Sequence, residues 1–314
     1  MINDMKKILF SLAAALCLTI MPALAQDKPA ADSAAVKAPS NWTKGLLTQI
    51  GFSQLSLTNW AAGGVGSISL NTYLDAYTNY KKDKYLWNNE LQMGYGFIQN
   101  FEDGYKKSDD RLIFDSKFGY KATDKLYLSA VYNFRSQFAD GFTGTDLTSS
   151  LMAPAYMSLG LGIDYQPAKN LSINFAPLTG KTVMVAIPEL RSKYGNADDQ
   201  FCRFELGAQL KVDAKLAVKD FTVASNLQLF SDYLDNPLDV KVNWDVNVDA
   251  KISKLFSVTL RTSLIYDSKI KSAIKRDSAG NPVLDGDGNN IMVAGVQFKE
   301  IFSVGFSYTI GQKK

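Results

Sequence analysis

The chain has 314 residues, a formal net charge of +3 and no histidine. So small a net charge gives no reason to expect nucleic acid as a partner. Without histidine, the chain cannot build a Ser-His-Asp or Cys-His catalytic arrangement from its own side chains. We therefore predict no cofactor, no metal and no nucleic-acid partner.

The N-terminal segment, residues 1–25, is predicted to be a cleaved signal peptide. Two lysines, a short apolar stretch and an A-x-A site follow one another at Lys6-Lys7, Ile8 to Met21 and Ala23-Leu24-Ala25, in the order that export signals show. The apolar stretch is too short for a membrane-spanning helix. Residues 26–41, rich in Ala, Pro, Ser and charge, predict a disordered lead. Residues 42–314 predict one large all-β domain.

The rest of the chain alternates apolar and polar residues with a period of two. The clearest run, residues 239–252, places Val, Trp, Ala and Ile on one face and Asp, Asn and Lys on the other, because successive side chains of a strand point to opposite faces. Strands of ten or more residues with one apolar face are typical of transmembrane barrels. Comparable runs predict about twelve strands, beginning near residues 46, 68, 87, 111, 126, 157, 171, 202, 221, 240, 256 and 302.

The connections between these runs alternate in length. Short turns are predicted near 81–84, 121–124, 166–170, 219–220 and 253–254, and longer loops at 99–109, 138–154, 178–200 and 267–294. Short periplasmic turns and longer external loops are typical of outer-membrane barrels. We therefore predict an all-β, antiparallel transmembrane outer-membrane β-barrel. The alternative is a soluble sandwich or lipocalin-like barrel, which the charges and glycines of the polar faces disfavour.

Two local features have ordinary structural interpretations. Asp285-Gly-Asp-Gly-Asn289 resembles the start of a calcium loop, but Asn290 and Val296 stand where that loop needs Gly and Glu, so a hairpin tip is predicted. After signal cleavage Cys202 is the single cysteine. It falls on the apolar face of its strand, which predicts a buried or lipid-facing thiol.

Four segments of the N-terminal half carry distinctive sequence motifs, called words below. They are Gln54-Leu-Ser-Leu-Thr-Asn-Trp-Ala-Ala-Gly-Gly64, Trp87-Asn-Asn-Glu-Leu91, Lys107-Ser-Asp-Asp-Arg111 and Ser136-Gln-Phe-Ala-Asp-Gly-Phe142. These words resemble an uncharacterised domain-of-unknown-function family of exported, β-rich proteins of Bacteroidetes-type bacteria. The resemblance covers roughly residues 42–142. It implies residence in the outer membrane and supplies no known activity, substrate or partner.

Charged residues on the polar faces of the predicted strands are candidates to line the barrel lumen. Mixed charge in a lumen has two interpretations: a narrow aqueous path, or a salt-bridged plug, because buried charges need partners. The candidates are Asp75, Glu90, Arg111, Asp115, Lys117, Arg135, Arg203, Glu205, Lys211, Asp245 and Arg261.

A second set of residues is predicted to meet at one side of the external mouth. If the N-terminus starts in the periplasm, the distinctive words fall at the outer ends of strands one, four and five. They form either a binding or partner-contact surface, or only a glycine-shaped turn with an interfacial tryptophan. The candidates are Gln54, Asn59, Trp60, Gly63, Gly64, Asp109, Asp110 and Gln137.

The predicted location is the outer membrane of a Gram-negative bacterium. The leading functional prediction is a narrow, porin-like channel or uptake pore for a small polar solute. The alternative is a non-conducting barrel that serves as an anchor or assembly partner for other envelope proteins. An envelope enzyme is the least favoured class. An open, wet lumen would favour the channel, whereas interlocked charges would favour the partner role.

Overall fold

The computed structural model describes residues 40–55, 67–100, 104–253 and 255–310, without the side chains of 53–55 and 307–310. The predicted signal peptide and nearly all of the predicted lead lie outside these residues, and both stay predictions. Among the described residues, no helix has the length and apolar character that crossing a membrane requires.

Within the described part of the chain, twelve antiparallel strands close into one barrel, which confirms the predicted fold. Each strand pairs with its neighbours in sequence, and the last strand pairs with the first. The strands are β1 (Trp42–Leu55), β2 (Ser67–Lys82), β3 (Tyr85–Asn100), β4 (Gly104–Lys121), β5 (Leu126–Ser136), β6 (Ala155–Ala168), β7 (Leu171–Met184), β8 (Cys202–Val218), β9 (Phe221–Asp232), β10 (Lys241–Lys251), β11 (Phe256–Tyr266) and β12 (Gln297–Ile310).

The two faces of the wall differ as the alternation predicts. Along β10, Asp245 faces the lumen between Asn226 of β9 and Ser263 of β11. The neighbouring outward positions are apolar, and large side chains such as Leu161 and Phe302 are 49% and 64% exposed. Such a continuous exposed apolar band is expected where lipid surrounds a barrel. The fold is that of an outer-membrane β-barrel.

The two ends of the barrel have different connections. At one end, here called the turn end, five tight turns join β2 to β3, β4 to β5, β6 to β7, β8 to β9 and β10 to β11. At the other, here called the loop end, the longer connections follow β5, β7, β9 and β11. The single cysteine of the predicted mature chain, Cys202, begins β8 at the loop end and is exposed.

The described residues of the predicted polar loop at 99–109, namely 99–100 and 104–109, lie in strands. β3 continues to Asn100 and β4 begins at Gly104, with Gln99 paired to Tyr105. Cross-strand pairing and the stacked rings of Phe97 and Tyr105, whose centroids are 5.6 Å apart, hold this polar hairpin in strand form. The first strand also begins earlier than residue 46, at Trp42.

The loops of the loop end carry structure of their own. Two short hairpins pair Gly141–Thr143 with Asp146–Ser149 and Lys271–Ile274 with Met292–Ala294. Two 3₁₀ turns lie at Pro188–Leu190 and Ser192–Tyr194. A small apolar core joins the loop after β5 to the loop after β7, and its buried members are Ala153, Val183, Val185 and Leu190.

Candidate functional site: the charged lumen and the loop-end mouth

The eleven candidate lumen residues all occupy inward positions of the barrel register. Two rows show the pattern. Tyr77, Glu90 and Asp115 stand side by side on β2, β3 and β4, and Gln92, Ile113 and Arg135 follow on β3, β4 and β5. The lumen is therefore lined by both signs of charge, and its state depends on how these charges are paired.

A direct ion pair crosses the lumen. The guanidinium of Arg135 on β5 contacts the carboxylate of Asp245 on β10 and lies 3.4 Å from the amide oxygen of Asn243. Because β5 and β10 stand on nearly opposite sides of the twelve-strand wall, this pair spans the interior and obstructs it.

A second pair joins β8 to β4 beside the first. The ammonium of Lys211 donates to Asp115 Oδ1 at 2.6 Å, and Asn133 of β5 donates to the same oxygen at 3.0 Å. Next to it, Lys117 donates to Asp164 Oδ1 of β6 at 3.1 Å. The first of these pairs joins strands four positions apart in the wall, and the second joins β4 to β6 over the intervening β5.

A third group of contacts ties β10, β11, β1 and β2 together. Arg261 donates to Gln49 Oε1 at 2.6 Å and to Asp75 Oδ2 at 3.3 Å, and Gln49 donates to Asp249 Oδ1 at 2.7 Å. The guanidinium carbon of Arg261 also lies 4.4 Å from the ring centroid of Tyr73, within the range of a cation–π contact.

Gly94 of β3 makes room for this packing. It sits between Tyr73 and Arg111 in the register, and a Cβ on Gly94 would come within 3.0 Å of both side chains. The small residue therefore lets an aromatic ring and a guanidinium fill the lumen side by side.

A fourth group, here called the Glu205 cluster, closes the lumen towards the loop end. The wholly buried carboxylate of Glu205 contacts the guanidinium of Arg203, Lys241 Nζ at 2.5 Å and Lys181 Nζ at 3.3 Å. Asp267, the first residue after β11, lies 3.6 Å from the ammonium groups of both lysines. The cluster brings three cations to two carboxylates and ties a loop residue to three barrel strands.

The turn-end half of the lumen is more open. Glu90 faces inward and is exposed, and Asp213 of β8 is about one-third exposed. Accessible acidic side chains therefore lie on the turn-end side of the cross-lumen pairs. Among the described residues no group of three or more His, Cys, Asp or Glu side chains could hold a metal ion.

At the mouth, Asp110 organises the start of the loop after β5. Its carboxylate accepts the backbone N–H groups of Phe138 at 3.0 Å and Ala139 at 2.9 Å, and Lys107 Nζ at 2.8 Å. Gln137 donates to the carbonyl of Ala153 at 3.2 Å. Asp110 and Gln137 therefore lie together and hold the loop to the wall.

The loop after β7 is fastened to the loop after β5 in the same region. The Tyr194 hydroxyl donates to the carbonyl of Thr148 at 2.8 Å. Burial raises the pKa of Tyr194 to about 12, so this donor keeps its proton at physiological pH.

Asp109 was predicted at the external mouth together with Asp110, but it faces the lumen. Its carboxylate is fully buried, 2.5 Å from Lys299 Nζ and 3.6 Å from Arg111 Nε. Neighbouring residues of a strand point to opposite sides. Asp109 therefore faces the lumen, whereas Asp110 faces away from it and holds the loop after β5.

The remaining mouth candidates belong to the end of β1 and its connection to β2. Asn59, Trp60, Gly63 and Gly64 lie outside the described residues. Gln54 pairs with Ile68 in the β1–β2 register, and its side chain lies outside the described part. Their role stays a prediction.

Sequence reasoning also missed several lumen residues. Extending each strand's period-two alternation to its ends, through neutral as well as charged residues, would have found them on inward positions. They are Gln49, Tyr73, Asp164, Lys181, Lys241 and Lys299.

Residues 52–142 match the model of a family described as a protein of unknown function (DUF3078). The match confirms the resemblance to an uncharacterised family over the end of β1 through β5 and the start of the following loop. It includes Asp110 and Gln137. No curated protein matches the chain.

Solved structures of outer-membrane barrels are similar to the chain. An outer membrane channel from Pseudomonas putida F1 has 12% identity and a TM-score of 0.37, covering 89% of this chain and 99% of that one. The translocator domain of the autotransporter NalP from Neisseria meningitidis has 11% identity and a TM-score of 0.36, covering 87% and 90%. The P. putida toluene transporter TodX has 10% identity and a TM-score of 0.26, covering 88% and 91%. At these scores the similarities support no conclusion about function.

Proposed function

We propose that this protein is a non-conducting barrel in the outer membrane of a Bacteroidetes-type Gram-negative bacterium, exported through its signal peptide, that serves as an anchor or assembly partner for other envelope proteins through its loop end. The observation that carries the proposal is the Arg135–Asp245 pair across the lumen, with the Lys211–Asp115 pair beside it. In this proposal the role is not catalytic.

The energetics of buried charge support a closed lumen. Separating a paired, poorly hydrated cation and anion leaves each without compensation, which costs several kcal/mol. A solute crossing the lumen would have to separate pairs whose two partners stand on different sides of the wall. Closure by several pairs leaves the loop end as the surface through which the barrel acts.

A narrow channel for a small polar solute is the second candidate. The exposed Glu90 and Asp213 in the turn-end half favour it, because polar, accessible side chains suit a water-filled path. In that case the Arg135–Asp245 pair would act as the closed gate of the path.

Conductance of the purified, folded barrel in a planar bilayer separates the two candidates. We expect wild-type protein and the double variant Arg135→Ala/Asp245→Ala both to be silent, because the Lys211–Asp115 pair and the Glu205 cluster still obstruct the lumen. A channel gated by Arg135–Asp245 would instead conduct in the double variant. Lys219→Ala in a turn-end turn is the control and should stay silent. Discrete wild-type steps whose ion selectivity changes in Arg135→Glu would contradict the closed barrel and support the channel.

The partner role needs its own measurement. A photo-crosslinking side chain at Leu238, which is 92% exposed in the loop after β9, should give one discrete protein adduct in cells. The same group at Leu161 on the lipid face should give none. A pattern of adducts identical at both positions, or none at any of several loop-end positions, would count against the partner role.

A further inference from the structure

The two ends of the barrel carry opposite charge. The turn-end segments 81–84, 121–125, 169–170, 215–220 and 251–253 contain nine lysines and three aspartates, and Lys44 at the start of β1 adds a tenth lysine. The loops 137–154, 185–201, 233–240 and 267–296 contain eleven acidic and six basic residues. A basic rim therefore faces one side of the membrane and an acidic surface the other.

The lysines of the turn end are placed to interact with their surroundings. All ten are exposed except Lys121, which is half-buried and pairs with Asp124 at 2.8 Å. Lumen lysines of the same chain, such as Lys211 and Lys241, are buried and paired. The rim is thus a separate set of charges from the lumen network.

An aromatic band lies directly above this rim on the outward face. The ring of Trp42 is 5.0 Å from Tyr80 and 6.1 Å from Trp87, and Tyr85 is 5.6 Å from Tyr120. Tryptophan and tyrosine concentrate at the level of lipid headgroups. The band therefore marks the membrane interface at the turn end.

One contact joins the rim to the band. The ammonium of Lys84, in the turn between β2 and β3, lies 5.8 Å from the ring centroid of Tyr120. Because the ring of Tyr120 lies at headgroup level, a lysine beside it places its charge at the same level. Long basic side chains commonly extend to this interface. Attraction between charges acts over about 10 Å at ordinary salt, so each exposed rim lysine attracts anionic headgroups beside it without direct contact.

We infer that the basic rim of the turn end binds the headgroups of anionic phospholipids in the leaflet around it. The occupant follows from charge complementarity and from the position of the lysines next to the aromatic band. The acidic loop end would repel the same lipids, so the rim also sets the barrel's orientation. This inference rests on the membrane setting of the proposed function and is independent of the role of the lumen.

Lipid selectivity of the full-length protein tests it. The barrel is reconstituted in phosphatidylcholine bilayers that contain spin-labelled phosphatidylglycerol or spin-labelled phosphatidylcholine, and the motionally restricted fraction of each label is measured. We expect wild-type protein to prefer phosphatidylglycerol about threefold or more, with the preference falling towards one in about 0.5 M salt because the charges are then screened.

A variant and a matched control locate the effect. Lys44→Gln/Lys82→Gln/Lys84→Gln/Lys169→Gln should lose most of the preference, whereas Lys271→Gln/Lys275→Gln/Arg276→Gln at the loop end should keep it. Equal labels for wild-type protein at low salt, or equal losses in both variants, would overturn the inference. If the four-lysine variant fails to fold, Lys44→Gln/Lys84→Gln takes its place and should lose part of the preference that the loop-end variant keeps. A barrel that does not insert at all would instead contradict the membrane setting.

Discussion

The loop end and the turn end of the barrel use charge in opposite ways. At the loop end Glu205 is wholly buried and is contacted by three cations. At the turn end the Lys121–Asp124 pair lies in water, with Asp124 95% exposed. Buried pairs are costly to break, whereas exposed pairs contribute little. The comparison predicts that the Glu205 cluster stabilises the barrel and that the exposed turn-end charges contribute little to its stability.

The largest expected effect is at the Glu205 cluster. Glu205→Gln leaves Arg203 without this anion and leaves Lys181 and Lys241 with only Asp267, 3.6 Å away. We expect the free energy of unfolding to fall by about 3–5 kcal/mol. Guanidinium unfolding of the barrel in lipid vesicles measures it. Asp124→Asn at the turn end is the matched control, and its unfolding midpoint should stay at the wild-type value. Similar midpoints for both variants would show that the buried and the exposed pair contribute equally to stability.

A smaller effect is expected at the mouth. Asp110→Ala removes the acceptor of two backbone N–H groups, a loss of about 2 kcal/mol in local stability. Hydrogen exchange at the amides of Phe138 and Ala139 should accelerate about thirtyfold, as measured by mass spectrometry. Asp146→Ala, at an exposed position of the same loop, should leave these amides unchanged. Unchanged exchange in Asp110→Ala would show that the loop is held by other contacts.

The tip of the hairpin at 271–294 should respond to pH. Hydrogen bonds from the backbone N–H groups of Asn281 and Asn289 lower the pKa of Asp277 and Asp285 respectively below the ordinary 3.8. A lowered pKa means that the stabilisation is fully present above the ordinary value and is lost as pH falls through the lowered one.

Amide exchange between pH 5 and pH 2 tests this directly, after correction for intrinsic rates. Protection of Asn281 and Asn289 should decrease as pH falls below the ordinary aspartate range of about 3.9. Asp285→Asn should remove the pH dependence at Asn289 and keep it at Asn281. A pH-dependent protection of Asn289 that persists in this variant would assign the effect to another group.

The smallest effect on stability is expected at the basic rim. Replacing Lys82 and Lys84 by Gln should change the free energy of unfolding by no more than about 0.5 kcal/mol, in the same guanidinium experiment. The ammonium groups there are exposed, and the rim acts in our proposal on lipid rather than on the fold. A loss comparable to that of Glu205→Gln would mean that both ends stabilise the barrel alike.

Much of the barrel could be predicted from the alternation alone. Residues 239–252 predict both faces of β10, and the structure places Asp245 inward as expected. The polar composition of residues 99–109 predicts a loop, but the described residues 99–100 and 104–109 form strand, because cross-strand pairing and the stacked rings of Phe97 and Tyr105 stabilise it. The polarity of alternate residues distinguishes the lipid face of a strand from its lumen face. It does not distinguish a polar loop from a polar strand end such as those of β3 and β4.

By itself, the sequence determined the strand character, the two faces and the mixed charge of the lumen, since these depend on a period of two along each strand. Only the tertiary structure decided which charges meet. Arg135 and Asp245 are 110 residues apart and come together because twelve strands close into a ring, with the register of each strand set by its neighbour. The opposite charge of the two ends can be counted in the sequence, but only once the topology assigns each connection to an end. Closure is a collective property of the whole wall, so no local pattern of residues encodes it.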